Sequence, residues 1–247
     1  MQGCENGVGG NRNYTCKFLV KTDTVLDYIA ENSEKILLVA TFSTLTHIQL
    51  LAPKYPNIYF TCFESFVPDN LPNNTQGISF AEEELGFMAG ALAGSVSTTK
   101  VVGIVAGLPY GALTRFAYGF LKGVKYICSQ CQVLGRWVPD PNWNNVTLAV
   151  AQVDEYISKS CDVIFGAAGA MGSSAIKYAA SKQKFVIGVD ADEYNTTFAD
   201  HSDPSSEYIL TSAIKKFPVV VSIIISNAIH GKFKSGNSIF GYYNNAE

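Results

Sequence analysis

Charge is sparse in this chain. Lys and Arg number 18 and Asp and Glu 21 among 247 residues, so only 16% are charged and the formal net charge is −3. No basic block stands out, which removes the electrostatic case for nucleic acid or an anionic membrane surface as partner. Histidine is scarcer still: His47, His201 and His230 are scattered, and no His-Glu-x-x-His zinc motif exists. A Walker phosphate loop and a Gly-x-Ser-x-Gly nucleophile turn are absent as well. The longest apolar run, 217–229, contains Pro218, Ser222, Ser226 and Asn227 and is too short to span a bilayer. It reads as a buried helix. Met1-Gln2-Gly3-Cys4 has neither the basic nor the apolar region of a secretory leader, which leaves the compartment open.

The six cysteines are Cys4, Cys16, Cys62, Cys128, Cys131 and Cys161. Cys128-x-x-Cys131 lacks a second Cys/His pair at finger spacing, and it does not open a helix after a strand as a redox motif would. We therefore expect buried thiols or one or two disulfides, with no metal and no cofactor.

What is present is apolar and alternating. Hydrophobic residues make up 47% of the chain, enough for a large core in one domain or two small lobes. Residues 1–13 are rich in Gly and Asn and read as loop. The periodicity then predicts strands at 15–20, 36–41, 58–61, 101–106, 132–138, 163–167, 185–189 and 208–210. Helices are predicted at 24–31, 45–51, 82–95, 113–126, 147–158, 173–181 and 214–229, with short strands at the end. Alternation of this kind implies an α/β fold with parallel sheets. Chain crossings near 97–100 and 212–215 would divide it into two Rossmann-like lobes, 1–97 with 214–237 and 98–213 with 238–247.

The most informative stretch is Val101-Val102-Gly103-Ile104-Val105-Ala106-Gly107, then Leu108-Pro109-Tyr110-Gly111, then Arg115-Phe116-Ala117-Tyr118-Gly119-Phe120-Leu121-Lys122-Gly123. It spells strand, turn and helix, and ligands of open α/β sheets bind where such turns lie. Upstream, Phe80-Ala81-Glu82-Glu83-Glu84-Leu85-Gly86-Phe87-Met88-Ala89-Gly90 reads as a helix with small residues where another backbone could approach. Together these segments resemble the basic membrane protein family, the substrate-binding proteins typified by bacterial purine nucleoside receptors. The resemblance continues in Asp162-Val163-Ile164-Phe165-Gly166, in Ile187-Gly188-Val189-Asp190-Ala191-Asp192 and in Leu210-Thr211-Ser212-Ala213-Ile214-Lys215. These ordered matches cover roughly residues 34 to 241. The family's first strand, with its Asp and Phe-Asn turn, has no readable counterpart: either residues at the N-terminal end replace it or the sequence is a fragment.

The resemblance implies a type I periplasmic-binding-protein fold that binds a small molecule, foremost a purine nucleoside, in the cleft between its lobes. It implies no catalysis, an extracytoplasmic location and a membrane transporter as a further partner. On this alignment Trp143 offers a ring for the base, and Asn145 stands where the family has Asp. Asp190 bonds the ribose, Lys215 reaches the sugar, and Glu64 contacts the base. Residue chemistry adds to this. Asp190 closes an apolar strand, where an uncompensated carboxylate is costly, so it should face a polar crevice. A lysine at a helix start, as expected for Lys215, is unfavourable and wants a reason. Gly169 could present backbone groups, and Thr41 and Phe42 end another strand. Arg115 is expected to support a hinge and Trp137 to lie in the core, while Asp192 either stands in for Asp190 or caps a helix.

Two rival readings stand beside this one. Gly166-Ala167-Ala168-Gly169-Ala170-Met171-Gly172 and Tyr178-x-x-x-Lys182 loosely resemble an NAD(P)-dependent short-chain dehydrogenase. The glycine loop would open the very helix that carries Tyr178 and Lys182, whereas such enzymes take the two from different strands. The third reading is a pocketless structural member of the binding-protein fold.

Overall fold

In the computed structural model the described residues are 14–15, 28–29, 31–42, 45–138, 143–199 and 202–242. The strand expected at 15–20, most of the helix expected at 24–31, any replacement for the family's first strand, and Cys4 and Cys16 lie outside them.

The chain divides into two compact units, Met1–Phe80 with Lys216–Ala246 and Ala81–Lys215. The first unit carries β1 (Leu38–Phe42), α1 (Leu45–Leu51), β2 (Tyr59–Phe63), β3 (Thr75–Phe80), α7 (Phe217–Ile229) and β9 (Gly236–Phe240). Its strands are parallel in the order β1-β2-β3-β9. Phe63, Ile78, Phe80, Val220 and Ile224 pack α7 against the sheet. Strand β3 was not anticipated, because Thr75, Gln76 and Ser79 are buried polar residues. Its neighbours supply partners for some of them: Gln76 Nε2 donates to Ser238 Oγ at 3.2 Å, and Thr75 Oγ1 donates to the Pro72 carbonyl at 2.6 Å.

The second unit carries α2 (Glu82–Val96), β4 (Val101–Ala106), α3 (Gly111–Ile127), β5 (Gln132–Trp137), α4 (Val146–Ser158), β6 (Val163–Ala167), α5 (Gly169–Ser181), β7 (Phe185–Asp190), α6 (Glu193–Thr196) and β8 (Ile209–Ile214). These strands are parallel in the order β5-β4-β6-β7-β8. Strands β4, β6 and β7 are almost wholly buried, as expected of parallel strands with helices on both faces. One face holds Phe116, Phe120 and Phe165, and the other holds Tyr156, Ile164, Met171 and Ile176. The Tyr156 hydroxyl, pushed up to about 12 chiefly by burial, donates to the Ile104 carbonyl at 3.0 Å.

The divisions fall at Phe80/Ala81 and Lys215/Lys216 rather than at 97/98 and 213/214. The reason is the seam between α2 and α3. A Cβ at Gly86 would strike the Phe116 carbonyl oxygen, and one at Gly90 would strike that of Phe120. From the other side, Cβ atoms at Gly119 and Gly123 would strike the carbonyl oxygens of Glu83 and Phe87. Backbone therefore lies on backbone, which places α2 in the second unit. Likewise β9 pairs with β3, placing 236–240 in the first unit. Pro218, in the first turn of α7, marks why that helix begins at Phe217 and leaves Lys215 off it. Among the described residues no helix is long and apolar enough to cross a membrane.

Candidate functional site

Left-handed backbone, with φ of about +50° to +70°, is uncommon outside glycine. Among the described residues seven non-glycine residues have φ in this region. Four of them, Lys100, Ser160, Gln183 and Ala199, follow helices, where a chain commonly reverses this way. Glu64 instead directly follows β2, Asp190 ends β7 and Trp143 lies shortly before α4, with φ of 59°, 64° and 58°. Gly169, the first residue of α5, has φ of 54°. For a bulky residue such as Trp this conformation is a true outlier, and such strain gathers at functional sites. Three of the residues singled out from sequence, Glu64, Trp143 and Asp190, thus share an unusual backbone.

In the second unit the carboxyl edge is built from several strands. The Trp143 ring lies across Gly107 at the end of β4, where a Cβ would run into it. Tyr110 meets it edge-on, with ring centroids 5.5 Å apart. The Trp143 carbonyl accepts from the Met171 amide at 2.9 Å, which ties the ring to the start of α5. Trp143 is half-buried, so it both packs on the sheet and keeps part of its surface open. Asn145 caps α4: its side-chain oxygen accepts from the Leu148 amide at 3.1 Å. Trp137, expected in the core, sits on the edge strand β5 and is 38% exposed.

At the end of β7, the Asp190 carbonyl accepts from the Lys215 amide at 3.0 Å. The Lys215 ammonium then comes back to the same residue, 3.4 Å from Asp190 Oδ1. It also lies 3.1 Å from Glu82 Oε1 and 5.0 Å over the Phe116 ring. Glu82 Oε2 accepts from Arg115 through Nε and pairs with Nη2, each at 2.7 Å. Asp190 keeps 47% of its side chain exposed, whereas Lys215 and Glu82 are buried. Lys215 lies ahead of α7 rather than at its start, and this pair of carboxylates compensates its buried charge. Arg115 acts through Glu82.

Glu193 went unnoticed in the sequence. It is buried beneath Gly188 and accepts from the Val189 amide at 3.2 Å and the Thr197 hydroxyl at 2.6 Å. Burial pushes its carboxyl up, against the pull of its hydrogen bonds. It braces the turn that carries Asp190. Asp192 stands at the N-cap of α6, but its carboxylate accepts from Asn195 rather than from the helix backbone. Glu82 was also missed. Its only sequence signal was an acidic first turn, which helix electrostatics alone explains.

In the first unit, Thr41 and Phe42 close β1 in register with Cys62 and Phe63, and Glu64 follows β2 half-buried. Cys128 and Cys131 form a disulfide just past α3, while Cys62 and Cys161 are buried free thiols, Cys161 pushed up to about 12 by burial. Among the described residues no group of three or more His, Cys, Asp or Glu could hold a metal ion. The Tyr178 hydroxyl donates to Asp154 at 2.8 Å, and that bond holds its proton on. Tyr178 stands nine residues, about 13 Å, along α5 from its first residue. That environment and position are the reverse of what a dehydrogenase tyrosine needs.

Comparison with known proteins follows the same lines. A nucleoside-binding protein of an ABC transporter, BmpA of Lactococcus lactis subsp. cremoris, is 25% identical over 96% of this chain and 70% of its own length. The chain spans only 40% and 55% of two further relatives. A solved transcriptional activator of the comK gene from Bacillus halodurans superposes with a TM-score of 0.82 at 20% identity, over 99% of this chain and 82% of that one. An ABC transporter solute-binding protein from Aeropyrum pernix K1 gives 0.79 at 22% identity, over 99% and 69%. These two likenesses show the fold, that of the type I periplasmic solute-binding proteins. Residues 22–242 match the Bmp family, described as ABC transporter substrate-binding protein PnrA-like, and the chain belongs to that family.

Proposed function

We propose that this chain captures a purine nucleoside, catalyses nothing, and hands its ligand to a membrane transporter outside the cytoplasm. The observation that carries the reading is the Asp190–Lys215 pair at the carboxyl edge of the second unit's sheet. A half-exposed carboxylate fixed beside a buried ammonium offers an acceptor for a sugar hydroxyl. Trp143 adds an aromatic face for a base, and Gly169 adds backbone at the same edge. Glu64, Thr41 and Phe42 are proposed contacts from the first unit. Asn145 has the weakest claim among these residues, because its oxygen already caps a helix.

Calorimetric titration with inosine, guanosine and adenosine tests the reading. Binding should be saturable, and at a hundredfold excess over Kd the ligand should stabilise the fold by about 2.7 kcal/mol. Chromatography of the same mixtures should return each nucleoside unchanged. Binding of free sugars in preference to nucleosides would replace the ligand class, and turnover would overturn the non-catalytic reading.

A further inference from the structure

Glu82 is buried, yet its two carboxylate oxygens face opposite tasks. Oε2 takes the Arg115 guanidinium at 2.7 Å, and Oε1 lies 3.1 Å from the Lys215 ammonium. Glu82 stands near the beginning of the second unit and Lys215 at its end, so two far-separated chain segments meet in one ion pair. Arg115 and Phe116 come from α3, whose backbone is pressed on α2 at the glycine seam. The ammonium therefore lies among a carboxylate from α2 and a ring from α3, which the seam holds together, and Asp190 from β7.

We propose that Glu82, clamped by Arg115, is the positioning residue that fixes the Lys215 ammonium beside Asp190 and so sets the preference for a ligand with vicinal hydroxyls. The inference rests on the nucleoside reading above. If Asp190 were the lysine's one anionic neighbour, its carboxylate would be drawn into neutralising that charge. With Glu82 as the buried counterion, Asp190 is left half-exposed and able to accept from a hydroxyl. A lysine also has four rotatable bonds to freeze on binding, and holding it beforehand removes that cost from the ligand. Glu82 itself touches no ligand in this scheme. Its influence runs through Lys215.

The test compares inosine with 2′,3′-dideoxyinosine, which keeps the base and lacks the diol. Wild-type protein should prefer inosine, and Glu82→Gln, of nearly the same shape, should cut that preference about tenfold, the equivalent of about 1.4 kcal/mol. Glu82→Asp should restore part of it. In a Lys215→Met background, Glu82→Gln should change the preference no further, whereas a merely structural role would add its loss in both backgrounds. Arg115→Gln, whose side chain is 29% exposed, repeats the comparison if Glu82→Gln does not fold, and should shift the preference in the same direction. A folded variant with the wild-type preference, or additive losses with Lys215→Met, overturns the inference alone. No inosine binding by the wild-type protein overturns the nucleoside reading and the inference with it.

Discussion

Two aspartates sit at opposite edges of neighbouring strands in the second unit's sheet, and they are treated in opposite ways. Asp162, before β6, is saturated. It accepts from the Ser97 hydroxyl at 2.6 Å, the Thr98 amide at 2.7 Å, the Thr98 hydroxyl at 3.0 Å and the Thr99 amide at 3.0 Å. Burial pushes its carboxyl up, but these donors together outweigh burial and hold it below the ordinary value. Asp190, the last residue of β7, has a lysine ammonium at 3.4 Å, left-handed backbone and nearly half its side chain in the open. A carboxylate engaged by four donors of the fold has little to offer a ligand, and one held by a single ammonium has more. At the amino edge the carboxylate is engaged by the fold, and at the carboxyl edge it keeps an exposed part.

The largest effect that sharpens this contrast should come from Asp162→Ala. Losing four donors' common acceptor should cost about 2–4 kcal/mol of stability in chemical denaturation, with inosine affinity unchanged in the folded protein. Asp190→Ala should do the reverse: about 1.5–3 kcal/mol of lost inosine affinity by titration, and little change in stability. Equal losses of affinity in the two variants would break the contrast. Trp143→Ala should weaken inosine by about 1–3 kcal/mol while leaving any binding of ribose alone, since stacking acts on the base.

Acidity separates the two kinds of carboxylate further. Because Asp162 is held low in the fold, its stabilisation is present at neutral pH and is lost as pH falls below about 4. The stability gap between wild type and Asp162→Asn should therefore narrow in acid. Glu193 is raised by burial, so its contribution has the opposite sign, full below about 4 and lost as pH rises through its folded value. Relative to wild type, Glu193→Gln should gain stability from pH 4 to pH 7. Urea titrations at the two pH values read both trends. The smallest effect should be that of Asp192→Ala, within about 0.5 kcal/mol in stability and affinity alike.

Much of this was legible before any coordinates. Strands β4, β6 and β7 are continuous apolar runs because both their faces are covered, and such runs are the plainest signal a parallel sheet leaves. Strand β3 hid for the contrary reason. Thr-Gln-Gly-Ile-Ser-Phe looks like loop until Ser238, on a strand far along the chain, supplies a partner for Gln76. Strand β8 was cut short at its Thr and Ser, although Ser212 is engaged by the Glu193 amide. Asp190 and Lys215 could be proposed from motifs because each lies inside a short recognisable stretch. Glu82 could not, since its meaning depends on Arg115 and Lys215, which no local pattern links to it. The same holds for Asn145, whose capping role depends on where α4 starts.

The seam between α2 and α3 also governs how this protein can change over generations. Every residue other than glycine carries a Cβ, so any single replacement at Gly86, Gly90, Gly119 or Gly123 meets the main chain of the facing helix. No stepwise mutational route leads away from these positions. A lineage leaves them only by moving a helix, which would carry Glu82, Arg115 and Phe116 along with it. Side chains along the carboxyl edge face no such barrier, and they can be exchanged one at a time as the available ligand changes. Under the proposed function, relatives that take up different molecules should keep the seam and differ along that edge.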